Sequence, residues 1–253
     1  MSLQSQLGRV RGSVLCAFHR RAVPLGNRGP IVSFTFDDFP RTAYSVGGAI
    51  LEKFGARGTY YVAAGLADTA NELGELFVEN DLHSLLEAGH ELASHTFHHS
   101  SSRSVSLSAF QSDVQEGIKA VEHFTGSRCS NFAYPYGDVT LATKKALAPF
   151  LASARSILAG LNGPKIDLSL LRANRIYGDV DISQSVKHLI GQNVQRKGWL
   201  IFYTHDVRPN PSEYGCTPAL FEFAVREAAT SGSQILTVGR VLSQIGIEAG
   251  NAG

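Results

Sequence analysis

The stretch Ile31-Val32-Ser33-Phe34-Thr35-Phe36-Asp37-Asp38 decides the fold, because an apolar, β-favouring run ends abruptly on two adjacent carboxylates. Six residues are too few for a helix and rich enough in branched and aromatic side chains for a strand. A strand apolar throughout, rather than alternately, is buried on both faces, as strands of helix-covered parallel sheets are. Outward from it the same kind of run recurs at 59–63, 91–94, 131–134, 171–176, 199–203 and 234–238, with a further one at 150–154. Helix-period stretches separate them at 43–54, 82–88, 107–124, 141–149, 183–196, 219–229 and 240–247. The clearest is 107–124, where Val114, Ile118, Val121 and Phe124 form one apolar face, Ser106 can cap the start and Gly126 can end it. Seven or eight strand-then-helix units in 253 residues predict an α/β fold, a distorted (β/α) barrel of seven or eight parallel strands in a single domain.

Composition narrows the function classes. Hydrophobic residues make up 43% of the chain and charged ones 18%, which fits a core-forming globular protein and excludes global disorder. Lys+Arg 23 against Asp+Glu 22 leaves a net charge of +1, too little for a basic field that tracks nucleic acid. Apolar runs such as Val14-Leu15-Cys16-Ala17-Phe18 fall far short of the roughly 18 to 20 residues of a membrane span. That run is also too short for a secretory signal, so a cytoplasmic location is expected over export. Cys16, Cys129 and Cys216 are odd in number and widely spaced, which argues against a disulfide framework and a thiolate zinc site. Arg9, Arg11, Arg20, Arg21 and Arg28, with no acid before Asp37, mark residues 1–29 as a basic N-terminal arm or edge segment and leave 30–247 as the barrel domain.

The polar residues fall where a barrel would use them. Asp37-Asp38, His95 to His99, Pro135-Tyr136-Gly137 and His205-Asp206 each follow an expected strand, and the carboxyl ends of barrel strands share one rim, where active sites form. Asp37 and Asp38 read either as turn residues or as a functional pair. Two carboxylates so close resist joint ionisation unless their roles divide, one binding a cation and the other accepting a proton. His95 and His99 are four apart, so one helical turn would bring both imidazoles to the same side, as in zinc-binding helices. Two imidazoles and one carboxylate leave coordination positions open, the mark of a catalytic metal. His98 reads as an outward-facing bystander, and His19, His83, His90, His123 and His188 as surface or structural residues.

These residues resemble the polysaccharide deacetylases of carbohydrate esterase family four, the NodB homology domain. Thr35-Phe36-Asp37-Asp38 resembles the first motif, His95-Thr96-Phe97-His98-His99 the second, Pro135-Tyr136-Gly137 the third and Thr204-His205 the fifth. The resemblance implies that Asp38, His95 and His99 hold one divalent metal, zinc before cobalt, nickel or manganese. It implies Asp37 as general base, His205 as general acid, and Pro135 and the Tyr136 backbone N–H at the oxyanion and substrate. Amide hydrolysis needs those elements: an activated water, a polarised carbonyl and a proton for the leaving amine.

Three positions depart from the family pattern. The arginine that orients the base two residues before the third-motif proline is here Ala133, and Arg175, with Arg172 as the alternative, is expected to replace it. The fourth motif's Asp-Trp pair is missing, so Asp167, Asp179 or Asp181 serves His205, or none does. Tyr203 stands where a leucine lines the acetyl pocket. The expected function is a metal-dependent hydrolase removing acetyl groups from N-acetylated or O-acetylated carbohydrate. Its rivals are an amidohydrolase of the same fold acting on a small non-sugar amide or imide, and a non-catalytic carbohydrate-binding descendant. An inverting glycosidase fails, because neighbours in sequence seldom hold carboxyls the roughly 6.5–9.5 Å apart that it needs.

Overall fold

Alternation along the first long strand sets the architecture. In the computed structural model, which describes residues 14–178 and 182–247, Ile31–Asp37 forms strand β2, preceded by a short β1 at Ala22–Pro24. Val32, Phe34 and Phe36 point outward into the largest apolar cluster, against helix residues such as Leu51, Leu82, Val186 and Phe221. Ile31 points the other way, into a second cluster with Trp199, Ile201 and Tyr203. Since successive side chains take opposite faces, Ser33, Thr35 and Asp37 share that inner side. The indole N–H of Trp199 donates to Ser33 Oγ at 2.9 Å across the interior, which satisfies both buried polar groups.

The remaining strands are β3 (Thr59–Val62), β4 (Ala70–Asn71), β5 (Gly74–Glu75), β6 (Glu91–Ser94), β7 (Asn131–Ala133), β8 (Ser153–Arg155), β9 (Lys165–Asp167), β10 (Asn174–Arg175), β11 (Trp199–Thr204) and β12 (Gln234–Ile235). Seven run parallel in the order β10-β11-β2-β3-β6-β7-β8 and curl into a half-barrel, with β12 paired to the start of β2. The open side is spanned by the chain between Leu171, bridged to Arg155, and Arg175, paired with Tyr203. Helices α1 (Ala49–Lys53), α2 (Glu79–Glu87), α3 (Leu107–Thr125), α4 (Leu141–Leu147), α5 (Ile182–Arg196), α6 (Pro218–Thr230) and α7 (Val238–Gln244) join them. Ser106 caps α3 by accepting the Ala109 N–H, and Gly126, at φ 62, ends it in the left-handed region that glycine enters without strain.

The described part of the basic N-terminal segment lies along the domain edge. Strand β1 pairs antiparallel with β9, and the Arg21 guanidinium donates to the carbonyls of Ala148, Leu151 and Ala152. The buried Lys144 ammonium donates to the carbonyls of Leu15 and Phe18 and pairs with Asp167 at 2.6 Å. Short elements that the periodicity did not show, β1, β9 and the β4–β5 hairpin, have only two or three residues each, too few for any period to register. No helix among the described residues is long and apolar enough to cross a membrane.

Candidate active site

Asp37 and Asp38 part company at the end of β2. Asp37 is the last strand residue and points inward, where a guanidinium nitrogen of Arg155 lies 2.5 Å from its Oδ1. Asp38 and Phe39 turn with φ of 60° and 56°, a strained conformation for residues with a Cβ, and that turn aims Asp38 at the histidines. Arg155 is 1% exposed, and its guanidinium lies 4.9 Å from the Tyr61 ring centre and 5.2 Å from that of Tyr203. Burial is the strongest single influence and opposes its charge, but the Asp37 carboxylate, Tyr61 and Tyr203 together outweigh it, and the pKa is raised.

His95 and His99 meet without a helix. Residues 95–99 form an irregular turn with Thr96 at φ 63 and His99 at φ 58, contrary to the helical turn expected from their spacing. Helix α3 enforces the turn: the Asp113 carboxylate accepts the backbone N–H groups of Phe97 and His98, at 3.2 and 2.9 Å, and the His98 ring at 2.9 Å. Gly117 permits the approach, since a Cβ there would stand 2.5 Å from the Thr96 carbonyl. His98, largely exposed, thus braces the turn through Asp113.

Three ligand atoms converge at this point. Asp38 Oδ1 lies 3.0 Å from His99 Nε2 and 3.6 Å from His95 Nε2, and a ligand atom from each residue lies within 4.8 Å of the other two. That oxygen is buried and takes no well-aligned hydrogen bond. His95 Nδ1 donates to the Ala133 carbonyl at 2.8 Å, which leaves the Nε2 lone pair facing Asp38. Burial holds the His95 imidazole down at about 4, so it is neutral at pH 7. Burial also opposes charge at His99, but Asp38, with Asp37 and Asp113 behind it, outweighs burial and raises the ring. Asp38 is lowered although burial alone would raise it, because His99, His95 and His205 surround it. An orphaned buried carboxylate oxygen between two imidazoles is a donor set that a divalent cation satisfies, one hard oxygen and two nitrogens.

His205 faces the same centre, its Nε2 3.9 Å from Asp38 Oδ2. Its Nδ1 donates to the Tyr214 backbone carbonyl at 3.1 Å, which fixes the ring's orientation. Asp206, fully buried, holds that loop by accepting the Ser212 hydroxyl and N–H and pairing with Arg208 at 2.7 Å. Pro135 is buried, and Tyr136, at φ 58 and 64% exposed, stands 4.5 Å ring to ring from His99. Tyr203 accepts the Tyr177 hydroxyl at 3.2 Å. Asp37, Asp38, His95, His99, Tyr136, Tyr203 and His205 line a cavity of about 360 Å³ that also includes Leu66, Leu73 and Ile157. A larger cavity, about 570 Å³, opens at the opposite strand ends, but its Glu91 carboxylate is engaged by Thr59, Asn131 and the Gly239 N–H.

Two sequence expectations are corrected here. Arg175 does not reach Asp37: it is exposed at the sheet edge, where the inner face is open, with its guanidinium 5.7 Å from the Tyr177 ring centre. Arg172 donates instead to the Ala159 carbonyl and Cys16. The cation beside Asp37 is Arg155, which lay one residue past the expected 150–154 strand. Ser153 and Arg155 share a face of β8 while Ala154 packs outward, so strand alternation, carried one residue further, was the signal that finds it. Of the carboxylates expected to serve His205, Asp167 pairs with Lys144 instead and Asp179 and Asp181 lie outside the described residues; among the described residues the Tyr214 carbonyl is what His205 Nδ1 meets.

The family model described as polysaccharide deacetylase matches residues 26–150. No curated protein matches the chain. Among solved structures, the chain is similar to the Xyl-CE4 domain of a multidomain xylanase from the hindgut metagenome of Trinervitermes trinervoides, at 19% identity and TM-score 0.60, over 87% of this chain and 92% of that one. A family 4 acetyl xylan esterase from Clostridium thermocellum, in complex with a cobalt ion, shares 18% identity at TM-score 0.62, over 87% and 93%. The peptidoglycan deacetylase PdaC from Bacillus subtilis shares 14% at TM-score 0.55, again over 87% and 93%. Identities this low speak for the fold, and the matched segment carries the Asp37-Asp38, His95–His99 and Pro135–Gly137 motifs in that fold. Residues 26–150 thus match the polysaccharide deacetylase family, and the chain as a whole shares the fold of these solved structures.

Proposed function

We propose that this chain hydrolyses the acetyl group of N-acetylated or O-acetylated carbohydrate, with one divalent cation, zinc in the first instance, held by Asp38, His95 and His99. The observation that carries the reading is the buried, unpartnered Asp38 oxygen between two imidazole nitrogens. A cation bound there would polarise the acyl carbonyl and bring the pKa of a bound water toward about 7. Asp37 takes the proton of the attacking water, and Arg155 fixes the orientation of that carboxylate. The Tyr136 backbone N–H, without a partner among the described residues, donates to the developing oxyanion. His205 carries a proton at Nε2 and delivers it to the leaving amine or alcohol, while the Tyr214 carbonyl holds the ring in place.

Carbohydrate is supported by the mouth of the cavity. Tyr136, Tyr214 and Ile157 are large apolar side chains 64%, 40% and 41% exposed, and all line the cavity. Apolar faces of that kind suit the C–H face of a pyranose. The proposed catalytic unit is 30–247. Acetate release from a panel of acetylated sugars, set against cyclic ureides and imides, tests the reading. Turnover of the sugars alone is the expected result, and turnover of the ureides or imides alone would overturn it in favour of a small-amide hydrolase.

A further inference from the structure

The chain leaving β7 meets both histidines of the candidate metal site from behind. His95 Nδ1 donates to the Ala133 carbonyl at 2.8 Å, and three residues further on the Tyr136 hydroxyl lies 3.1 Å from His99 Nδ1. The other nitrogen of His99 faces Asp38, with Nε2 3.0 Å from Oδ1. An imidazole that gives Nε2 to a cation carries its proton on Nδ1, so the Nδ1–H is the donor in this contact and the phenol oxygen the acceptor. Residues 133–136 thus offer an acceptor to each histidine, a main-chain carbonyl to His95 and a side-chain oxygen to His99.

The contact between Tyr136 and His99 is held from both sides. The residues after His99 grip those after Tyr136: Ser101 donates to the Asp138 carboxylate at 2.5 Å and Ser102 to the Asp138 carbonyl at 2.8 Å. Arg103 pairs with the same carboxylate at 2.8 Å and donates to the Val139 carbonyl at 3.2 Å. Backbone strain points the same way. Tyr136 sits at φ 58, and if the chain used only its backbone N–H there, glycine would take that conformation without strain. Asp38, Phe39, Thr96 and His99, also at positive φ, belong to the same site, so the strain is concentrated around the histidines. A tyrosine in this conformation brings its ring centre to 4.5 Å from that of His99. His99 and Tyr136 are also the two residues shared by the active-site cavity and an open cavity of about 560 Å³ that continues past Ser101 and Asp138. The pair therefore stands where the two cavities meet.

We propose that the Tyr136 side chain is a positioning residue for the metal site: its hydroxyl accepts the His99 Nδ1–H and so fixes the imidazole with Nε2 toward the cation, a role separate from that of the Tyr136 backbone N–H. This rests on the metal-dependent reading above. Tyr136→Phe isolates the hydroxyl, because phenylalanine keeps the backbone N–H and the ring beside the imidazole and removes only the acceptor. The His99 side chain is 15% exposed, so the retained ring also limits water's access to the stranded Nδ1–H. Zinc affinity of the chelator-stripped full chain is measured by calorimetric titration against a competing chelator. Exchange of the His99 Nδ1 proton is followed by NMR in the zinc-loaded protein with isotope-labelled histidine. Loss of a ligand's outer hydrogen-bond partner costs about 10–100-fold in metal affinity. Tyr136 is itself largely exposed, so the expected fall is near the lower end, about tenfold and no less than threefold, with faster exchange of the Nδ1 proton. A fall of less than threefold, or exchange no faster than in the parent, would overturn the inference and leave the metal site standing. A parent chain that binds no zinc would overturn the metal-dependent reading and the inference together.

Discussion

Replacing Arg155 by methionine tests the buried pair on which the proposed base depends. Arg155 is 1% exposed and Asp37 4%, so the substitution leaves a carboxylate in the barrel interior with its cation gone. Breaking a buried pair from one side costs about 3–5 kcal/mol, because the remaining charge has neither water nor partner. Loss of the guanidinium's place between the Tyr61 and Tyr203 rings adds roughly 0.5–2 kcal/mol per ring, partly recovered by the methionine's own packing. For a domain of this size each kcal/mol moves Tm by about 2–4 °C, so the pair alone predicts a fall of about 6–20 °C. Scanning calorimetry of the metal-free protein reads that shift without reference to turnover. The double variant Asp37→Asn with Arg155→Met should regain most of the loss, since it removes the stranded charge as well. A single variant melting within 2 °C of the parent, or a double variant no more stable than the single one, would refute the reasoning.

Three further outcomes follow from the same geometry. Asp113→Ala removes the acceptor that holds the Phe97 and His98 amides, so the metal affinity read by zinc titration should fall about 10–100-fold; unchanged affinity would show that the turn holds itself. Burial pushes the Cys129 and Cys216 thiols up to about 12, whereas Cys16 is half-buried, so a disulfide-exchange reagent should titrate one thiol in the native protein and three in denaturant. His90 is lowered, chiefly by burial against the pull of Glu52, so the unfolded chain binds the extra proton below its ordinary 6.5. Stability from this group is therefore present above pH 6.5 and lost as pH falls toward the folded value, by up to about 1.4 kcal/mol per pH unit. Urea unfolding at pH 5 and 7 should show that dependence weakened in His90→Asn, and identical pH profiles would contradict it.

The barrel was legible because its strands are apolar runs that end on polar residues: Asp37 and His95 follow such runs directly, and Asp38, His99 and His205 come within five residues of one. What escaped was geometry that no period encodes. The turn at 95–99 depends on Asp113 and on the missing side chain at Gly117, both on a helix that read only as an amphipathic one. Arg155 escaped for a smaller reason: the run at 150–154 stops one residue short of the end of β8, and that single-residue boundary shift hid an inward cation. Tyr203 was noticed as a departure at the acetyl pocket, and it also covers one face of the Arg155 guanidinium. Tyr61, Tyr203 and Arg155 together supply beside Asp37 the cation that Ala133 cannot.

The central claim, one divalent cation held by Asp38, His95 and His99 and needed for deacetylation, is tested most directly by calorimetric titration of the chelator-stripped protein with zinc, followed by acetate release from the same samples. The account predicts one zinc per chain, binding abolished in His95→Ala and in His99→Ala, and acetate release that rises in step with zinc bound. Undiminished binding in both variants, or full acetate release by the stripped protein, would contradict it.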